Sequence, residues 1–362
     1  MKSLEEGAKA LKIFIKRQPK KRIVLVVVLL FFLPVFIYGG SLGLRVYNLY
    51  STMHESLDDE ELPDYDPHLV EGDDVEVDDE NGSDLSEEER EAIQIPEEDV
   101  EAYQFNDNQY YDLPRSERDP DLLHILLIGI DSEFVGGGGR SDTMMVVRFN
   151  ERTEEAAILS IPRDTYIKIP GRGFDKAGHA TAYGGISLLK ETLENYLDIY
   201  IDYYVRVDMQ SFEIGVNALG GLTIDVPHDI IHERRGLLFS AGTHHMDGED
   251  ILQYARQRRL VRGGGDFGRI DRQQQVVIEM LRTIRQDLTL YQTLDFMEEV
   301  ARYFRTDLTP GAVASHWRAF NRIDLNEIPT VRLEGDSFMH NRIYYYRVSV
   351  KDAREQMEAL AK

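Results

Sequence analysis

The chain has 362 residues, 41 lysines and arginines against 65 aspartates and glutamates, a formal charge of −24 and no cysteine. Without a thiolate it is not a disulfide scaffold, a thiol enzyme, a zinc ribbon or an iron–sulfur protein, and only histidines and carboxylates are left to ligate a metal. A net acidic chain has no overall attraction for a nucleic-acid backbone, so no nucleic-acid partner is expected.

The charge is unevenly spread. Residues 1–50 carry nine bases and two acids, residues 51–120 carry 27 acids and three arginines, and residues 121–362 carry 29 bases and 36 acids. Within the first block, 23–44 is an uncharged run of 22 residues rich in Val, Leu and Phe. At about 1.5 Å per residue such a run spans a hydrocarbon core of roughly 30 Å, and Pro34 within it is tolerable in a membrane helix. A cleaved signal peptide fits less well, because the run exceeds an h-region and no small-residue cleavage site follows. The bases before it place the N-terminus in the cytoplasm and the remainder outside, as a single-pass protein of the cell membrane. The expected order is a basic cytoplasmic tail (1–22), a transmembrane helix (23–44), a disordered acidic spacer (45–120), whose like charges repel, and an extracytoplasmic domain (121–362).

In that domain strands and helices alternate, which predicts an α/β fold. The apolar run 122–130 reads as a strand covered on both faces. Residues 143–149 and 156–161 read as a hairpin across a polar turn. Apolar residues at helical spacing mark a helix through 186–197. A strand is expected at 203–208, a helix at 211–219, a strand at 222–226, and helices at 250–258 and 272–290. No internal repeat is found.

Several motif matches lack the context that their mechanisms need. Gly39 to Gly43 fits G-x-S-x-G inside the expected membrane span, Gly263 to Gly268 fits G-x-G-x-x-G without a preceding strand, and Gly136 to Gly139 lacks the Lys-Ser/Thr of a phosphate loop. What remains are polar residues at the ends of apolar strands. Asp131 closes the first, Arg140 to Thr143 opens the second and Pro162 to Thr165 follows the third. Arg256, Arg258, Arg259, Arg269 and Arg272 come later. In 121–362, 24 of the 29 bases are arginine, whose planar guanidinium grips phosphate bidentately. Ion pairing to the 36 acids is the plainer reading for any single arginine; Arg140, Arg163, Arg256 and Arg258 together point to an anion site. Asp131 and Asp142 are the residue type a hard cation takes beside phosphate oxygens, while a turn cap for Asp142 and an arginine partner for Asp131 account for them equally. His179, standing alone, reads first as structural.

These residues resemble the LytR-CpsA-Psr family of membrane-anchored cell-wall phosphotransferases. The likeness runs through Gly129-Ile130-Asp131, Gly139 to Thr143, Ser160 to Thr165, Asp175-Lys176 with His179-Ala180, Ala182 to Gly185, Ile201 to Val205, Leu219 to Gly221, Tyr254 to Arg258, Gly265 to Arg269 and Arg272 to Gln274, and weakens after 290. It implies a mixed central β-sheet flanked by helices. It also implies transfer of a glycan phosphate from a polyprenyl-pyrophosphate carrier to a peptidoglycan sugar hydroxyl, attaching a teichoic-acid or capsular-type polymer to the wall. By the same likeness Asp131 and Asp142 are ligands of Mg²⁺, or of Mn²⁺ in its place. Arg140, Arg163, Arg256, Arg258 and Arg269 are pyrophosphate clamps, and Asp131, Asp142, Arg140 and Arg163 form the catalytic set. Two positions depart from the family pattern: Glu133 stands where an arginine is usual, and Gly178 stands where an asparagine is usual and is expected to loosen its loop.

Two other activities fit the same residues: a non-catalytic, membrane-tethered binder of polyprenyl-linked glycans, and a polyprenyl-pyrophosphate phosphatase.

Overall fold

The computed structural model describes residues 43–54, 87–130, 140–262, 265–287, 296, 298 and 304–360. The chain divides into two units, one up to Ser51 and one from Thr52 onward. In the first, residues 43–51 are helical. None of the helices among the described residues is long and apolar enough to cross a membrane. The expected span 23–44 lies outside the described residues but for its last two positions.

The second unit is organised by the apolar run of Leu122–Ile130 (β1), which lies inside a six-stranded sheet. On one side it pairs antiparallel with Ser141–Asn150 (β2), which turns through 151–154 into Glu155–Ile161 (β3) as the polar turn predicts. On its other side β1 pairs parallel with Tyr203–Asp208 (β6). Phe304–Thr306 (β11) and Thr330–Arg332 (β12) close the edges, giving the order β11-β6-β1-β2-β3-β12. The sheet is mixed, as expected, and β1, β6 and Leu222–Val226 (β7) have the bounds read from the sequence. Between β3 and the first long helix run Tyr166–Ile169 (β4) and Gly173–Lys176 (β5), an antiparallel pair.

Helices cover the sheet because their apolar faces need it. His179–Leu197 (α3) buries Ile186, Leu189, Leu193, Tyr196 and Leu197 among Leu126, Ile128, Met144 and Leu159 of the sheet. It begins seven residues before the predicted helix and is broken at Gly184-Gly185, where Gly185 takes φ 66°, a left-handed conformation that favours glycine. Val350–Glu358 (α8) adds Val350, Ala353 and Met357 to the same core. A second core is built by Met209–Ala218 (α4), β7, Ile230–His232 (β8), Gly236–Phe239 (β9), Gly242–Met246 (β10) and Gly248–Arg256 (α5), with Val276 of Gly265–Asp287 (α6). Pro310–Phe320 (α7), Asp336–His340 (β13) and Ile343–Arg347 (β14) complete the described elements.

One expectation is corrected. Part of the acidic segment is folded: Glu87–Ala92 (α1) and Glu97–Tyr111 (α2) belong with the domain. Tyr103 donates to the Val348 carbonyl at 3.0 Å, and the Lys168 amide donates to Tyr111 Oη at 3.1 Å. Asp107 is buried and accepts from the Val350 amide at 3.2 Å. The acids of α2 flank a stripe of Val100, Tyr103, Asp107, Tyr110 and Tyr111 at helical spacing, so burial of one face outweighs the repulsion that the composition suggests.

Candidate functional site

The register of the sheet gathers the predicted loops. Ile130 pairs with both Ser141 and Asp208, Met144 pairs with Ile161, and Ser160 pairs with Arg332. The carboxyl ends of β1, β3, β6 and β12 therefore share one rim with the amino end of β2, and the carboxyl rim of an open α/β sheet is where ligands bind.

On that rim a chain of charges runs from β2 through the turn after β3. Arg163 Nη1 lies 2.5 Å from Asp142 Oδ1, Arg163 Nε lies 3.7 Å from Asp164 Oδ2, and Asp164 Oδ1 lies 3.2 Å from Lys176 Nζ. Burial would push the Asp164 carboxyl upward, but Lys176 and Arg163 outweigh it and hold the group below the ordinary carboxylate value. Asp175 beside it accepts from the His179 ring at 3.0 Å and from Tyr183 Oη at 2.5 Å. Those two bonds, with the neighbouring imidazole, overcome burial and lower its pKa as well. His179 thus has the structural place expected of a lone buried histidine, orienting Asp175.

The loop 177–179 ties the strands together. The Ser141 amide donates to the Gly178 carbonyl at 3.2 Å, the Gly178 amide to the Arg163 carbonyl at 2.9 Å, and the Ala177 amide to the Thr165 carbonyl at 2.8 Å. A Cβ on Gly178 would stand 2.8 Å from the Ser141 carbonyl oxygen and 3.2 Å from Arg163 Cβ. Gly178 does not loosen this loop; it lets the loop close against two backbones where a side chain has no room.

Above the rim lies α6. Its Arg269 is buried and points Nη2 at the Asp142 carbonyl, 3.4 Å away. Gln273 accepts from Thr143 Oγ1 at 3.1 Å, and Gln274 donates to Ser160 Oγ at 2.8 Å and to the Val331 carbonyl at 3.0 Å. Arg272, also buried, donates to the Tyr254 and Gln257 carbonyls and so ties the end of α5 to α6.

The structure brings Asp142, Arg163 and Arg269 together. Arg140 immediately precedes β2, half-buried; Arg256 is exposed in the last turn of α5; Arg258 follows it, half-buried. Asp131, Glu133 and the glycines 136–139 lie outside the described residues. The arginine partner considered for Asp131 is found instead at Asp142, which pairs with Arg163. Lys176, Asp164, Asp175 and Tyr183 were given no role by sequence reasoning. Their signal was present as polar residues packed into a segment otherwise destined for the core.

Among the described residues no three His, Asp or Glu side chains gather as a ligand set. Mg²⁺ needs only one or two carboxylates when phosphate oxygens and water complete its shell. Asp142 is an oxygen donor of that kind, and the pairing of Ile130 with Ser141 joins the residue before Asp131 to the residue before Asp142. The donor set thus suits a hard cation and no soft one.

Residues 81–362 match the LytR_cpsA_psr family. The chain is 35% identical over 249 residues, 67% of its own length and 79% of the relative's, to the polyisoprenyl-teichoic acid–peptidoglycan teichoic acid transferase TagU of Halalkalibacterium halodurans. It is 34% identical to the protein of the same name from Enterococcus faecalis, over 70% of this chain and 85% of that one. Among solved structures, B. subtilis TagV superposes with a TM-score of 0.58 at 28% identity, covering 66% of this chain and 97% of that one. The polar rim, the helix laid across it and these likenesses agree, and the chain belongs to the LytR_cpsA_psr family.

Proposed function

We propose that this protein transfers a glycan phosphate from a polyprenyl-pyrophosphate carrier to a peptidoglycan sugar hydroxyl, attaching a teichoic-acid-type polymer to the wall. The observation that carries this reading is the convergence of Arg163 and Arg269 on Asp142 at the carboxyl rim of the sheet. Relatives that match over most of their length are named teichoic acid transferases, which supports it.

In this reading the acceptor hydroxyl oxygen bonds to the glycan-bearing phosphorus, and the bond from that phosphorus to the bridging oxygen breaks. The leaving polyprenyl phosphate keeps the electron pair, and the hydroxyl proton passes to a rim carboxylate, Asp131 or Asp142. No protein nucleophile is required, so the absence of cysteine costs nothing. Arg269 and Arg163, together with Arg140, Arg256 and Arg258, offset the charge that develops on the leaving phosphate. Their value depends on being fixed beforehand. Asp164 and Lys176 hold the turn that carries Arg163, while Thr143 and Ser160 anchor α6 through Gln273 and Gln274. A Mg²⁺ held by Asp131 and Asp142 would add Lewis-acid polarisation of the phosphoryl oxygens. The run 23–44 anchors the protein in the membrane with the N-terminus in the cytoplasm, which keeps the domain on the side where the wall is built.

The test incubates the full chain with a short-chain polyprenyl-pyrophosphate oligosaccharide, Mg²⁺ and a peptidoglycan fragment. A phosphodiester-linked glycan and free polyprenyl monophosphate are expected, and Arg269→Ala should slow product formation by about 10²-fold or more, the loss typical of a fixed charge-stabilising donor. Glycan phosphate released to water without acceptor adduct would mean a phosphatase. Donor binding with no product would mean a binding protein.

A further inference from the structure

The second core carries an outward face that the proposed reaction does not use. In the β8–β9 hairpin Ile231 pairs with Leu237 and His232 pairs with Gly236. On the other side of β8, His232 bridges Leu260 antiparallel, the Val261 amide donates to the Ile231 carbonyl at 2.9 Å, and the Glu233 amide donates to the Arg259 carbonyl at 3.1 Å. Those bonds set Val261 opposite Ile231, so Leu237, Ile231 and Val261 form one row across three adjacent extended segments. Exposure settles which way the row faces: Ile230, Phe239 and Leu260 are buried in the core below, whereas Leu237 is 58% and Val261 66% exposed, and a bulge between the Ile230–Phe239 and Ile231–Leu237 pairs lets Leu237 turn away from Phe239. Around the row stand four exposed arginines, Arg234 and Arg235 at the hairpin turn and Arg259 and Arg262 on the third segment, against the acids Glu233 and Asp229.

The geometry points to this face as a membrane-docking surface that rests on a bilayer containing anionic lipid. Apolar side chains centred within a ring of guanidinium groups match the headgroup boundary, where the row enters the apolar layer and long basic side chains reach phosphate. Each arginine near an anionic leaflet adds to the attraction. The choice of a bilayer as the occupant rests on the proposed reaction, whose donor is a lipid. The face also has a physical tie to the site: Arg235 donates to Gln257 Oε1 at 3.1 Å, and the Gln257 carbonyl accepts from Arg272, one helical turn beyond Arg269. Docking would therefore hold the arginine-rich rim beside the leaflet from which the donor is drawn.

The absence of cysteine makes the test direct, because one introduced thiol carries the only label. Leu237→Cys, Val261→Cys and, as a control on the exposed surface of α8, Lys351→Cys are labelled with an environment-sensitive fluorophore in the full chain. Each is reconstituted into vesicles of phosphatidylcholine with or without phosphatidylglycerol. The labels at 237 and 261 are expected to shift to the blue, to be quenched by nitroxide lipids and to be shielded from aqueous iodide when phosphatidylglycerol is present. The label at 351 should show none of this, and the joint substitution Arg234→Glu and Arg235→Glu, or high salt, should abolish the difference. Equal iodide quenching at all three positions in anionic vesicles would overturn the proposal. So would shielding of 237 and 261 in detergent without vesicles, which would assign the face to a second copy or to the chain's own acidic segment. The transfer assay with a soluble short-chain donor needs no bilayer, so loss of docking and loss of the proposed reaction are read separately.

Discussion

The two ends of the central sheet bury charge in opposite ways. At the rim that carries Asp142, buried and half-buried carboxylates and cations alternate: Asp142, Arg163, Asp164 and Lys176 stand in line, each within 4 Å of the next. At the far end His124 of β1 pairs across the ladder with Arg148 of β2, and among the described residues neither side chain makes an ion pair with a carboxylate. Arg148 donates instead to the Met357 carbonyl at 2.6 Å, and His124 Nδ1 donates to the Tyr200 carbonyl at 3.0 Å. Burial, helped by Arg148, pushes His124 down to about 4, so it stays neutral. One end pairs its charges with one another; the other holds His124 neutral beside an arginine that is satisfied by a backbone carbonyl. Only the first leaves fixed charges where a phosphate can meet them, and that is the end to which the sheet register brings the strand-end loops.

The contrast can be broken most severely at Asp164. Asp164→Ala would leave the buried Lys176 without its counter-ion and Arg163 with Asp142 alone, and unfolding in denaturant should show a loss of about 3–5 kcal/mol. A cost below about 1 kcal/mol would mean that the rim is solvated enough to dispense with pairing.

A smaller effect is expected at the far end, and it depends on pH. Because the folded-state pKa of His124 lies near 4 and the unfolded value near 6.5, the unfolded chain binds the extra proton between those values. The contribution is complete above about pH 6.5 and is lost as the pH falls toward 4, by about 3 kcal/mol. His124→Gln, which keeps a polar group without a titrating ring, should flatten this part of the stability–pH curve. An unchanged curve would place the proton elsewhere.

The mildest change tests how tightly the rim is closed. Gly178→Asn restores the residue usual in the family, yet its Cβ would press on the Ser141 carbonyl. A loss of about 1–3 kcal/mol in thermal or chemical unfolding is expected from overpacking. A gain in stability would show that the loop can back away from Ser141.

Much of this fold was legible in the sequence. Continuous apolar runs gave β1 and the alternating pattern gave β7 with their observed bounds, because burial on one or both faces of a strand is a property of adjacent residues. Punctuation was less reliable. The helix predicted to start at 272 begins at Gly265, since its first turn, Gly-Asp-Phe-Gly, has weak helix propensity and forms where Arg269 and Arg272 are held by neighbouring carbonyls. The acidic composition of 87–120 hid α2, whose aromatic stripe is spaced for a helix but makes sense only against Val348 and Val350, more than two hundred residues away.

The site divides along the same line. Residue type singled out Asp142 and Arg163 as candidates, because a phosphate site calls for guanidinium and carboxylate, and the family likeness added Arg269. Which of them meet was a matter of register and helix placement: β2 against β3 brings Asp142 to Arg163, and α6 laid across the rim brings Arg269 to the Asp142 carbonyl. Tertiary structure likewise decided that Arg272 is spent on two carbonyls, that Gly178 is a tight fit, and that Leu237 and Val261 share one outward row. Composition and periodicity report what each residue can bury or bind. Only the long-range pairing of strands and helices sets the distances on which ion pairs, close backbone approaches and exposed faces depend.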